Sequence, residues 1–578
     1  MKGPPGATRE HDEEEKAALV PPPALPDQST EDEAPPCEND DTASMGVDQG
    51  EQLRRSTEKP AWKKVFPTRG VMLIMGSILV LALLVGSNSS GWIPLSSSSF
   101  LLGNRAFGHG RQRRAPHHSP PSPAGPPRVP VPLSCGNETS FPHVPYCARA
   151  PPPSPSPSSS SAAAAAAPPS STSAAPPTCP EYFRYIHTDL SPWREKGITR
   201  EMVEKARDLA TFRLVVVSGR AYVERLRRAF QTRDVFTLWG ILQLLARYPG
   251  RVPDLDLMFF CGDVAVVRRR HHPDAAAAPP LFMYCRDGDA LDIVFPDWSF
   301  WGWPEVNIRP WAPFLAEAAR ENARVPWADR RPYAFWKGNP WVSNQRRDLL
   351  RCNPNATGDG KDWNARVFVQ DWGQAHRNGY KDSNLAKQCL YRYKIYVQGR
   401  GWSVSEKYIL ACDSPMLHID TPFQDFFSRG LVAGKHYWPV DAARKCPSIK
   451  FAVDWGNAHP AEARRMGEEG SAFTQEDLSM DYVYDYMLHL LTGYAGLLRY
   501  KPTVPENAVE LCIDSMACTA RGLVRDFMLE SMEKYVADYE PCTLPPPFTE
   551  DEVAEMARTE EEARNKVKTM EQAAEKET

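Results

Sequence analysis

Three stretches of this sequence bring together side chains that can do chemistry. The first, DGDALDIVFPDWSFWGWPEVNIRPW (Asp287 to Trp311), holds four tryptophans and four aspartates within 25 residues. Flat rings stack on the C–H faces of sugars and a carboxylate can take a hydroxyl proton, so the composition suits a carbohydrate cleft. It suits a plain aromatic core as well. Asp292, between Leu291 and Ile293, would be partly desolvated on a strand, which raises a carboxylate pKa toward the range of a general base. Asp297, five residues on, is the competing acid. The second stretch, AFWKGNPWVSNQRRDLL (Ala334 to Leu350), sets Lys337, Gly338 and Asn339 after an aromatic strand and sends Arg346 and Arg347 into a helix. Cations near a strand-to-helix turn suit a diphosphate by charge and by bidentate geometry, or are ordinary surface helix charges. The third, GRGWSVSEKYIL (Gly399 to Leu410), has two glycines that allow close backbone approach and two serines, Ser403 and Ser405, able to cap a helix starting near Glu406. Free N–H groups at such a turn receive phosphate oxygens. A fourth candidate, Asp254-Leu-Asp256, has the form of a metal–nucleotide DxD pair. Its alternation of acidic and apolar residues reads better as a strand end near the surface.

These residues need a scaffold, and the pattern supplies one. From Cys179 onward, helix-like and strand-like runs alternate. TREMVEKARDLA opens with Thr199 as a helix cap, TFRLVVVSGR and DLDLMFFCGD read as strands, and VFTLWGILQLLARYPG reads as a helix. ARVFVQD, YKIYVQG and PMLHID are further short strands, with SEKYILACD as a helix between the last two. Alternation of this kind predicts an α/β fold with parallel sheets and crossover helices.

The rest of the chain is organised differently. Many of the 56 prolines fall before position 180. Residues 1–69 read as a cytosolic tail without a core. Val71 to Gly86 is an uncharged apolar run, preceded closely by Arg54, Arg55, Lys59, Lys63, Lys64 and Arg69 and followed by no basic residue until Arg105. The positive-inside rule then predicts a type II signal anchor over 70–87, with the bulk of the chain lumenal. Residues 88–178 carry a Pro/Ser/Ala tract and read as an extended stem. Residues 179–549 form the catalytic domain and 550–578 a charged C-terminal tail. Of 13 cysteines only Cys37 precedes the anchor, leaving an even number able to pair in an oxidising compartment. N-glycosylation sequons stand at Asn137 and Asn355, and at Asn88 close to the anchor. No CxxC pair suggests zinc. A net charge of −4 argues against a nucleic-acid partner. The final AEKET is no KDEL-type signal, so Golgi residence is expected in preference to retrieval to the endoplasmic reticulum.

Taken together, DLSPWREKGITREMV, LDIVFPDWSFW, FWKGN with RRD, YRYKIYVQGRGWSVSEKYILACDS and FFSRGLVAGKHYWPV resemble the Rumi-like protein O-glucosyltransferase family, also called the CAP-like or KDEL-motif-containing glycosyltransferases. The similarity is closest to its plant branch. The resemblance implies a GT-B-like fold, two Rossmann-like halves facing a donor cleft, and an inverting, metal-independent transfer from a UDP-sugar that needs no other cofactor. It implies Asp292 as catalytic base and a donor site built from Gly338, Asn339, Arg347, Arg400, Gly401, Trp402, Ser403 and Val404. It also implies a disulfide between Cys389 and Cys412. The family's animal members carry Arg where this chain has Ser405, and a small-residue loop where it has Gly-Arg-Gly-Trp. The expected activity is therefore glucosyl or xylosyl transfer to a glycoprotein or polysaccharide hydroxyl. The competing reading is a carbohydrate-binding Golgi ectodomain without catalysis.

Overall fold

The structure, a computed structural model, describes residues 128–135, Cys147 and 176–577. The tail over 1–69, the anchor over 70–87, Asn88, Asn137 and most of the stem lie outside the described residues. Among the described residues no helix is long and apolar enough to cross a membrane.

Among the described residues eleven strands form two sheets: β1 (Phe212–Val217), β2 (Arg220–Arg225), β3 (Leu255–Phe259), β4 (Leu281–Met283), β5 (Ile293–Val294), β6 (Arg331–Gly338), β7 (Ala365–Val369), β8 (Tyr391–Tyr396), β9 (Met416–Ile419), β10 (Tyr437–Val440) and β11 (Val509–Leu511). The second sheet has the order β10-β9-β8-β6-β7 and is parallel throughout, as the alternating pattern predicts. Short helices at Asn344–Leu349, Trp372–Arg377 and Ser405–Leu410 make its crossovers. The first sheet, β11-β2-β1-β3-β4-β5, corrects that expectation. Only β3, β4 and β5 pair in parallel, while β1 is antiparallel to both β2 and β3. For β1 and β2 the reason lies at Ser218 and Gly219, whose φ values of 51° and 75° make a two-residue hairpin turn of the primed kind. Arg220–Arg225 was hidden as a strand because half its side chains are charged. Its alternating burial shows the pattern that a half-covered strand requires.

Each sheet has its own apolar core. The larger is built around Phe212, Phe259, Phe282 and Trp301, the smaller around Trp336, Tyr393, Leu417 and Ile449. β3 is buried along its whole length, so Asp256 lies in the core, while Asp254, half-buried just before the strand, accepts from Ser218 N at 2.7 Å as a strand end near the surface would. Asp256 is neutralised in the core by Arg213, whose Nε and Nη2 donate at 2.8 and 2.7 Å, and it also accepts from Tyr500 Oη at 3.0 Å. Thr199 caps its helix as expected, accepting from Met202 N at 3.4 Å.

Five disulfides staple the described residues: Cys135–Cys518, Cys147–Cys512, Cys179–Cys542, Cys352–Cys446 and Cys389–Cys412. The last is the pair implied by the resemblance, and it ties the start of β8 to the end of the Ser405–Leu410 helix. Cys261 and Cys285 remain as buried thiols. Two of the bonds fasten Cys135 and Cys147, which the stem assignment covered, to the folded unit. Val131 is buried there too, donating to Lys534 O at 2.9 Å. The C-terminal segment is likewise no free tail. Glu550–Glu577 is one helix that docks through polar contacts: Glu552 with Arg184 (2.6 Å), Glu560 with Tyr437 Oη (2.7 Å), Arg564 with Asp420, and Glu571 with Ser448 Oγ (2.5 Å). Its helical period places these acids and Arg564 on faces turned toward the fold, which a count of charges cannot reveal.

Candidate functional site

The carboxyl ends of β6 and β8 lie side by side, and the chain leaving each builds half of a turn-rich edge. After β6, Asn339 accepts from Trp341 N at 2.9 Å and so turns the chain away from Gly338. After β8, Gly399 N donates to Trp402 O at 3.1 Å, closing the Gly-Arg-Gly-Trp loop on itself. Arg346 joins the two halves. Its Nε donates to Gln398 O (2.9 Å), Nη1 to Asn339 O (3.4 Å) and Nη2 to Ser403 Oγ (2.9 Å). Though the residue keeps some exposed surface, burial of its guanidinium lowers its pKa to about 10. Ser403 N in turn donates to Tyr396 Oη at 3.2 Å, and Ser403 Oγ meets Ser405 Oγ at 2.8 Å. The helix begins at Ser405 behind Val404, and no side chain caps it in the strict sense.

The two adjacent arginines thus have different tasks. Arg346 holds the loop. Arg347 is exposed, has no ion-pair partner among the described residues, and stands 6.0 Å from the ring of Trp341. Arg400 is also exposed at the loop's tip. Lys337 donates to Asp382 O at 2.6 Å.

Gly401 was expected to let a ligand approach. Its smallness instead serves the protein itself. A Cβ there would lie 1.9 Å from the backbone oxygen of Asp263, in the turn after β3. The loop therefore presses directly on the first half of the fold. Trp402 follows it inward, only 5% exposed, with ring centroids 5.7 Å from Tyr284 and 6.2 Å from Trp298. It is core rather than a pocket surface. We expect Gly401→Ala to lower stability by about 1–3 kcal/mol, the usual cost of overpacking. Thermal unfolding checks this, and an unchanged melting temperature would mean that the contact yields freely.

The Trp-rich stretch also turns out to be core. Trp298, Trp301 and Trp311 are at most 1% exposed, and Trp301 and Trp311 donate to Tyr484 Oη and Leu478 O. Its acids sort by environment. Asp297 starts a short turn by accepting from Ser299 N at 2.8 Å, and it pairs with the buried Lys407 Nζ at 3.0 Å. Asp292 has no exposed surface. Its two oxygens accept from Val266 N (3.2 Å) and Val267 N (2.9 Å), and burial pushes it up to about 7 despite those amides. Asp292, expected as a partly desolvated base, is desolvated with its pKa raised, but it is enclosed altogether and braces the turn that follows β3.

That turn carries an acid the motif comparison missed. Asp263 keeps 40% of its side-chain surface exposed and accepts from Arg233 Nη1 at 2.9 Å. Arg233 is itself held beneath it, 4.4 Å from the ring of Trp298. Cys285 Sγ lies 3.4 Å from Asp263 O, and Gly401 packs on the same oxygen. Of the three aspartates, Asp263 alone combines solvent access with contact to the loop. One signal in the sequence could have found it: the acid stands four residues past the end of β3, where parallel strands present ligand-binding groups.

The sequon residue Asn355 sits exposed on a turn with φ of 58°, accessible to modification. The grouping of ligand-type side chains closest to a metal geometry among the described residues is Cys179, His489 and Cys542, and its two sulfurs are already bonded to each other.

The family model described as Glycosyl transferase family 90 matches residues 174–571. O-glucosyltransferase rumi of Drosophila melanogaster is 24% identical over 342 residues, covering 56% of this chain and 78% of that protein. Protein O-glucosyltransferase 1 of Bos taurus is 26% identical over 339 residues, 57% of this chain and 83% of its own length. Its Homo sapiens counterpart is 26% identical over 337 residues, 56% and 82% respectively.

Proposed function

The chain belongs to glycosyl transferase family 90, and from that premise we propose that it moves glucose or xylose from a UDP-sugar to a hydroxyl of a protein acceptor. The relatives' names as O-glucosyltransferases support the protein acceptor. The observation that carries the reading is the contact of Gly401 with Asp263. It sets an accessible carboxylate of one half against an arginine-held loop of the other.

The two cores then act as the halves of a GT-B-like pair, with the donor between them. Asp263 takes the proton of the acceptor hydroxyl as its oxygen attacks the anomeric carbon. The bond from that carbon to UDP breaks in the same displacement, and the sugar's configuration inverts. Arg347 and Arg400, both exposed, receive the charge that develops on the departing diphosphate. Asp292 keeps the Asp263 turn in place through Val266 and Val267. We retain the expectation that no metal takes part. The five disulfides support folding in an oxidising compartment, consistent with a Golgi lumenal site.

The test is to offer the purified chain a panel of UDP-sugars with a folded EGF-like repeat, following UDP release and acceptor mass. Transfer from UDP-glucose or UDP-xylose is expected. Absence of turnover with every donor, together with retained glycan binding, would replace this reading with that of a non-catalytic carbohydrate-binding domain.

A further inference from the structure

A cavity of about 900 Å3 opens between residues 421–432, the start of β10 and the C-terminal helix. It touches neither Asp263, Asp292 nor the Gly399–Val404 loop. Two of its polar groups lack hydrogen bonds. Glu406 is 2% exposed and its Oε1 has no hydrogen-bond partner, with His418 Nε2 3.5 Å away. His418 Nδ1 is buried without a partner as well, and its ring is held 4.8 Å from both Tyr396 and Tyr437. A buried polar atom left unsatisfied carries an uncompensated desolvation penalty, so native proteins give it a partner, and here the space for one is present.

The chemistry of the walls selects among ligands. Arg429 is bound bidentately by Asp189 at 2.7 Å, and Arg564 by Asp420 and Glu560. Lys435, the lining lysine, is exposed, so the buried part offers a carboxylate and an imidazole rather than a free cation, which disfavours a phosphate. Phe423 and Phe548 supply aromatic surface. A carboxylate that accepts from hydroxyls, a ring nitrogen that exchanges with them and aromatic rings against C–H faces are the complement of a neutral saccharide. The volume falls within the range of small-ligand sites.

The cavity also shares a wall with the proposed cleft. Gln424 and Arg286 exchange both backbone hydrogen bonds, at 2.8 and 2.9 Å, and the neighbouring Cys285 touches Asp263. Glu406 stands on the helix that leaves Ser403.

We infer that this cavity is a saccharide subsite, separate from the donor site, which holds non-reacting sugar residues of a glycan; its place beside a transfer reaction rests on the function proposed above. The test titrates the full chain, with UDP saturating the donor site, with maltose, cellobiose and xylobiose by calorimetry. Saturable binding of at least one is expected. Glu406→Gln should weaken it about tenfold or more, the effect of a lost charge-assisted hydrogen bond. Val432→Trp, at a half-exposed rim position, should abolish it by filling the entrance, with UDP affinity unchanged in both variants. Unmeasurable binding of all three sugars, or equal binding in wild type and both variants, overturns the subsite whether or not UDP-sugar turnover occurs. Binding that responds as expected without any turnover upholds the subsite and removes the enzyme reading alone.

Discussion

Replacing Asp263 by Asn is expected to lower the transfer rate by about a hundred- to ten-thousand-fold, the contribution of a positioned general base. UDP affinity and melting temperature should change little, because Asp263 is partly exposed and its Arg233 partner retains Trp298 and Cys261 O. Asp292→Asn should show the opposite profile. An amide can accept only one of the two backbone N–H bonds that Asp292 now receives, so stability falls while any residual activity follows the folded fraction. The pH dependence separates them further. Burial holds Asp292 at about 7 against an ordinary 3.8. Its contribution to stability is therefore fully present below the unfolded value and is lost as pH rises through about 7. Denaturant unfolding at several pH values should show this slope in wild type and a flatter one in Asp292→Asn. If Asp263→Asn keeps full activity and Asp292→Asn loses it with the fold intact, the assignment of the base is reversed.

Lys407→Met is expected to destabilise the protein by about 3–5 kcal/mol, the usual consequence of removing one partner from a buried ion pair. Lys407 is fully buried, and its Nζ donates to Asp297 Oδ2 at 3.0 Å and Ser299 Oγ at 2.8 Å. Methionine fills much of the same volume and leaves the carboxylate of Asp297 enclosed without its cation. Adding Asp297→Asn should recover part of the loss, since it removes the carboxylate bonded to Lys407 Nζ while Asp425 and Glu406 stay buried nearby. The measurement is a double-mutant cycle in denaturant. An additive result would show that the lysine acts through packing alone. The pair joins the Ser405–Leu410 helix to the Trp-rich segment, so the single variant should also loosen the Gly399–Val404 loop.

Local pattern carried much of the architecture. The parallel second sheet followed from short β-branched and aromatic runs separated by helical ones, and Thr199 was legible as a cap because capping depends on near neighbours. The hairpin that makes the first sheet mixed was missed, since a Ser-Gly turn inside a charged run gives little hydrophobic contrast. The Trp-rich stretch invited a sugar-cleft reading because composition does not distinguish a ring facing a ligand from one facing Tyr484.

The candidate site shows the same division more sharply. Residue types and motif order determined the family, the acids and cations available, and the segments able to carry them. Only the tertiary structure decided their tasks. Arg346 and Arg347 are consecutive on one helix and so point in directions about 100° apart, yet nothing local says which faces Ser403. Asp292, Asp297 and Asp263 are the same side chain, made different by what surrounds each. One is enclosed under two amides, one is neutralised by a buried lysine, and one is open beside the loop. Desolvation and ion pairing are energies of the space around a group, and that space is filled by residues distant in the chain. The sequence by itself therefore determined which chemistry was available, and long-range packing decided which atom is placed to perform it.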